Sequence, residues 1–141
     1  MKKQFSKFWK SSKQPRKQRK YLANAPIHLR KKFVSVNLSK ELRKKYGKRN
    51  IPVKKGDSVR VMNGKFKGKQ GKITGVKLKI SKVIMEGIQV KKQDGSKVNV
   101  KLQPSNLQII ELDLEDKKRA KKLVKIEKGE LSSTKNKENK K

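Results

Sequence analysis

Between residues 51 and 112 apolar residues recur at every second position and glycines interrupt them, a pattern that admits short strands and little else. Val59 and Val61 alternate with Ser58, Arg60 and Met62; Val76, Leu78 and Ile80 alternate with lysines; Val98, Val100 and Leu102 alternate with Lys97, Asn99 and Lys101. Each strand therefore has one wet, basic face. The three-residue step from Ile73 to Val76 breaks the period, and a bulge at Gly75 would restore the inward phase, so the second strand is expected to bend sharply. Asp94-Gly95 divides the run 88–92 from 97–102 and predicts a two-residue hairpin turn, after which Pro104 ends the strand. A last strand through Leu107, Ile109 and Ile110 brings the total to about five in roughly sixty residues. An all-β unit so short protects its edges by closing on itself, so a small barrel is expected.

The flanks have a different character. Residues 1–50 begin as a basic arm, nearly free of aliphatic residues up to Lys20, followed by two short apolar-bearing stretches at 27–36 and 38–46. In the second, Leu42 and Tyr46 lie four apart, with Ser39 placed as N-cap and Gly47 as terminator of a short helix. Its apolar face is too small to stand alone, so it is ordered by lying on the neighbouring domain or in an RNA groove, or else it belongs to a disordered tail. Residues 113–128 pass from the acids Asp113, Glu115 and Asp116 into lysines, the charge order a helix dipole favours, and Ala120, Leu123 and Val124 would dock that helix on the barrel. Residues 129–141 have nothing to bury and read as a disordered lysine-rich tail.

With 43 Lys+Arg against 11 Asp+Glu the chain carries a formal charge of +32, heaviest in residues 1–50. Such self-repulsion calls for a polyanionic partner, nucleic acid before anionic membrane, because no segment pairs a basic face with a Trp, Phe or Leu face. No apolar run is long enough to cross a membrane or serve as a secretory signal, so a soluble, cytoplasmic protein is expected. There is no cysteine, and His28 is the single histidine, so neither a thiolate metal site nor a catalytic triad has support. The acids around Asp113 are explained by the helix start more simply than by magnesium or acid-base chemistry. The expectation is no enzyme, no cofactor, no metal, no membrane and no homo-oligomer.

The densest information lies at residues 64–72, where Gly64, Gly68 and Gly71 interleave with Lys65, Lys67, Lys69 and Lys72. Glycines permit positive φ and close backbone approach, so their N–H groups can reach phosphate oxygens while the lysines supply charge; tight turns alone are the plainer reading. A nucleotide-triphosphate loop is ruled out by the three-residue spacing of Gly64 and Gly68 and by Gln70 where Ser or Thr would hold magnesium. Phe66 is either an anchor under the turn or a stacking platform for an unpaired base. Arg16, Arg19, Arg30, Arg43 and Arg49, with Lys31 and Lys44 among them, supply forks suited to bidentate phosphate contact in the amino third. For any single lysine a solvated basic surface is the simpler reading. His28 is read either as stacking on a base or as an ordinary hydrogen-bonded histidine beneath the arm.

The segment Asp57-Ser-Val-Arg-Val followed by Gly68-Lys-Gln-Gly-Lys-Ile resembles the KOW motif of several ribosomal proteins and of NusG-type transcription factors. The flanks RKQRKYLANAPIHLRKKFVSVNLSKELRKKYGKRNIPVKKGD and VKLQPSNLQIIELDLED are similar to the archaeal and eukaryotic large-subunit ribosomal protein numbered twenty-four universally and twenty-six in eukaryotes. The resemblance runs from about Arg16 to about Lys125. It implies a mainly β fold built on an SH3-like barrel, with a basic, partly helical amino extension. It further implies direct binding of large-subunit rRNA near its 5′ domain, early action in subunit assembly, and a place near the polypeptide exit beside other ribosomal proteins, nascent chains and exit-site factors. By position, Lys65, Lys67, Gly68, Lys69 and Gly71 match the family's loop, and Asn24, Ala25, Pro26, His28 and Arg30 match its NAP-x-H-x-R segment. A transcription-elongation factor is the alternative, but it needs a second α/β domain for which the first fifty residues are too basic and too poor in strands. An RNA-modifying enzyme lacks a cofactor motif and paired catalytic groups.

Overall fold

The computed structural model describes residues 5, 12–121 and 123. Its elements run α1 (Pro15–Asn24), α2 (Ile27–Phe33), β1 (Ser35–Leu38), α3 (Lys40–Tyr46), β2 (Asn50–Pro52), β3 (Ser58–Val61), β4 (Gln70–Lys77), β5 (Lys82–Met85), β6 (Gln89–Lys91), β7 (Lys97–Asn99), a 3-10 turn (Pro104–Asn106) and β8 (Leu107–Glu111). A further helix begins at Lys117. The protein is mainly β: six strands in the order β2-β1-β8-β3-β4-β5 form a small barrel-like sheet, and β6 and β7 form a separate ribbon. Neighbouring strands of the sheet are antiparallel except β1 and β8, which run parallel with Asn37 opposite Gln108.

The alternation places the core where it should lie. Val59 and Val61 of β3, Leu107 and Ile109 of β8, and Ile73 of β4 are buried, and they meet Val83, Met85 and Ile88 in one cluster. Fully burying each such side chain is worth roughly 1.5–3 kcal/mol, which holds together strands this short. The bend in β4 is present, with the register shifting between Ile73 and Gly75 against β5. Pro104 is buried and opens the 3-10 turn that leads into β8.

Several strand expectations are corrected. Strand β4 ends at Lys77, and Leu78 to Ser81 form the turn into β5, with Ser81 in the left-handed region (φ 51°) and Ile80 exposed. The alternation continues through that turn because Leu78 still packs against the core. Strand β5 itself was hidden by the contiguous run Val83-Ile84-Met85, in which Val83 and Met85 face inward. The hairpin closes through a wider loop than Asp-Gly alone predicts. Lys92 N–H donates to Ser96 O (2.9 Å) and Gly95 N–H to Lys92 O (3.1 Å), with Gly95 at φ 83°, the left-handed residue of a three-residue turn. The ribbon spans only three residues a side, and Val90 and Val98 are exposed rather than inward-facing.

The amino extension contributes strand β1 and helix α3, and the core includes Val34, Val36, Leu38, Tyr46, Ile51 and Val53. Helix α3 is bounded as the sequence indicates: Ser39 Oγ accepts from Leu42 N–H (3.3 Å), and Gly47, at φ 59°, returns its N–H to Arg43 O. The helix beginning at Lys117 is capped by Asp116, whose Oδ1 accepts from Lys118 N–H (2.9 Å), and Leu123 is buried in the core. Val124, the rest of the segment expected to be helical to residue 128, and the tail 129–141 lie outside the described residues.

Candidate nucleic-acid interface

The loop between β3 and β4 is a closed turn system. Gly68 N–H donates to Val61 O (2.8 Å), Lys67 N–H to Gly64 O (3.0 Å) and Lys69 N–H to Phe66 O (3.2 Å). Gly64 and Gly68 sit at φ 97° and 87°, a conformation L side chains rarely adopt, and the space beside each is open. Gly71 is of another kind: it lies in β4, opposite Val59, and a Cβ there would stand 3.1 Å from Glu86 O. It permits close packing of β4 on the turn after β5 rather than approach by a ligand.

The loop's amides at Lys67, Gly68 and Lys69 are thus engaged internally, so its reach toward an anion rests on lysine ammonium groups more than on backbone N–H groups. Lys65, Lys67, Lys69 and Lys72 are exposed. Phe66 is half-buried and packed against the core, with Lys69 Nζ 5.5 Å from its ring centroid. This packing agrees with the anchor reading of Phe66 and leaves part of its ring exposed.

Helix α1 carries Arg16, Lys17, Arg19 and Lys20 on exposed positions and buries no residue. Its first turn holds no acid, and its cations therefore crowd the positive end of the helix dipole. A helix of ten residues is marginal alone. Tyr21 ties it down, lying between Phe5 (centroids 4.8 Å apart) and Phe33 of α2 (5.9 Å). Asn24 ends α1 and Ala25 is buried at the elbow. Arg30 reaches back from α2 to donate to Ala23 O, so part of its fork braces the elbow.

His28 is exposed on α2 and has no hydrogen bond to a described residue, so it does not lie beneath the arm. Lys31, Lys44 and Arg49 are exposed, whereas Arg30 and Arg43 are half-buried, each with an Nε–H shielded from water and lacking a hydrogen bond among the described residues. The structure therefore groups the predicted cations on two features, the α1–α2–α3 extension and the β3–β4 loop. Among the described residues, ion pairs join only Lys54 to Asp116 and Arg119 to Asp57.

The Asp57–Arg119 pair is a buried structural clamp that no local sequence pattern indicates. Asp57 is wholly buried; its carboxylate takes both arms of the Arg119 fork (2.6 and 2.8 Å), Lys54 N–H (2.8 Å) and Asp113 N–H (3.1 Å). Every acceptor direction is used, which is how a buried charge is tolerated. The clamp fastens the entrance of β3 to the carboxyl-terminal helix. Two further acids are engaged: Glu111 accepts from Ser58 Oγ, and Asp113 Oδ1 from Glu115 N–H. No group of three or more His, Cys, Asp or Glu side chains gathers as a metal site among the described residues, and no helix there is long and apolar enough to cross a membrane.

Comparison with protein families finds a match over residues 12–125 to the family described as ribosomal proteins L26 eukaryotic, L24p archaeal.

Proposed function

Since the chain belongs to this family of large-subunit ribosomal proteins, structural components rather than enzymes that work on the cytoplasmic ribosome, we propose that it binds large-subunit rRNA directly through the α1–α3 extension and the β3–β4 loop. The observation that carries this reading is the exposed cation set of α1 and the loop, left without carboxylate partners among the described residues. Phosphates offset that charge, and they supply to α1 the anion its first turn lacks. Arg16, Arg19, Lys31, Lys44, Arg49, Lys65, Lys67, Lys69 and Lys72 act as exposed phosphate contacts. Arg30 and Arg43 present the outer parts of their forks, and Asn24 and His28 offer polar edges at the elbow. Gly68 sets the loop's shape, Gly71 lets β4 pack on the turn after β5, and Phe66 holds the loop to the core. The finer parts of the reading are a site near the 5′ domain, early entry into the subunit, and a place near the polypeptide exit, with other ribosomal proteins, nascent chains and exit-site factors as neighbours.

The test is ultraviolet crosslinking in cells with identification of both RNA and peptide. A single dominant large-subunit rRNA region, with peptides from 16–49 and 65–72, is the expected result. Crosslinks to many unrelated transcripts through the loop alone would replace this reading with a transcription factor's.

A further inference from the structure

We infer that the β6–β7 ribbon is a second phosphate-contacting element, which lays its lysine face on the RNA backbone apart from the extension and the β3–β4 loop. The inference rests on RNA being the partner, as proposed above, and adds a contact surface to it.

The ribbon is a two-stranded sheet whose six residues are all exposed. Its register puts Lys91 opposite Lys97 and Gln89 opposite Asn99 on one face, and Val90 opposite Val98 on the other. Like charges directly across a strand pair destabilise it, and an isolated two-stranded hairpin is marginal to begin with. The nearby carboxylate does not relieve the lysines: Asp94 Oδ1 is turned into its own loop, accepting from Ser96 N–H (3.0 Å) and Ser96 Oγ–H (2.7 Å). Neither lysine has an ion-pair partner among the described residues.

The root of the ribbon, by contrast, is held. Ile88 is buried, Val100 N–H donates to Ile88 O (3.1 Å), and Leu102 bridges to Val83 of β5. On the lysine face, Gln89 Nε2–H donates to Asn99 Oδ1 (3.0 Å), a polar rung beside the charged one. A firmly rooted projection with a repelling cation pair at its end matches a polyanion, which converts the repulsion into attraction. The valine face would instead suit a protein.

The decisive variant is Lys97→Glu, which gives Lys91 a carboxylate directly across the ribbon. In the free full-length protein it should slow amide exchange in residues 89–99, while weakening binding to purified large-subunit rRNA. Lys91→Gln/Lys97→Gln should make the log-log salt slope shallower by about 1.4–1.8, two phosphate contacts at ~0.7–0.9 each. Val90→Ser/Val98→Ser should leave that slope unchanged. A wild-type slope for the lysine pair, or loss of RNA binding from the valine pair alone, overturns the inference, the latter by moving the RNA contact to the apolar face. Absence of rRNA binding by the unmodified chain instead sinks the functional reading itself.

Discussion

Replacing Asp57 with alanine leaves the Arg119 guanidinium without the carboxylate it grips from two sides. Breaking one side of a buried pair costs about 3–5 kcal/mol, whereas removing both partners together is far milder. Asp57→Ala should therefore lower the urea midpoint sharply, and Arg119→Met added to it should recover much of the loss; additive single effects would show that the pair does not act as a unit. The glycines separate in the same way. Gly68→Ala should cost roughly 1–2 kcal/mol, from the left-handed backbone alone, because open space surrounds the new methyl. Gly71→Ala must instead displace the Glu86 carbonyl, so it should perturb β4 and β5 amide shifts while the loop's shifts stay in place. At this scale the sequence was half legible. The Gly-Lys spacing located the loop, but it could not tell a turn glycine from a packing glycine, since that depends on Glu86 in another turn. Asp57 and Arg119 stand 62 residues apart, and no local pattern joins them.

Elements with local signals were readable and those defined by distant pairing were not. Ser39 and Gly47 bracket α3 through contacts within a few residues, and Asp116 caps the next helix in the same manner. Strand β1, only Ser35–Leu38, has too few residues to show a period and owes its existence to β2 on one side and β8 on the other. Backbone N–H bonds from Lys118 and Arg119 hold the Asp116 carboxyl below its ordinary 3.8. A lowered folded value means the cap's contribution is complete above the ordinary value and is lost as pH falls through the lowered one. The protection of the amides of residues 118–120, taken relative to their intrinsic exchange rates, should accordingly fall on acidification below that ordinary value, and Asp116→Asn should flatten the dependence, read by NMR between about pH 5 and pH 2.

For the whole molecule, charge was legible from composition, and its distribution over the fold was not. The +32 formal charge announces a polyanion. Only the folded arrangement shows that the cations of α1 stand off the core while Arg30 and Arg43 are drawn partly into it. If about ten cations meet phosphates, the log-log salt slope of rRNA binding should lie near −7 to −9, and deleting residues 1–20 should make it shallower while the sheet, which begins at Ser35, remains folded. Titration of affinity against potassium chloride, with circular dichroism on the truncated chain, checks both halves.

The parallel contact of β1 with β8 also sets an order of events during synthesis. Asn37 meets Gln108, so β1, whose pairing with β2 is close in sequence, waits for most of the chain before its second neighbour exists. Pairings this remote in sequence slow folding, because the loop between them must close first. A nascent chain halted before Leu107 therefore holds its basic amino end beside an unfinished sheet, free to meet RNA before the barrel that positions it has closed.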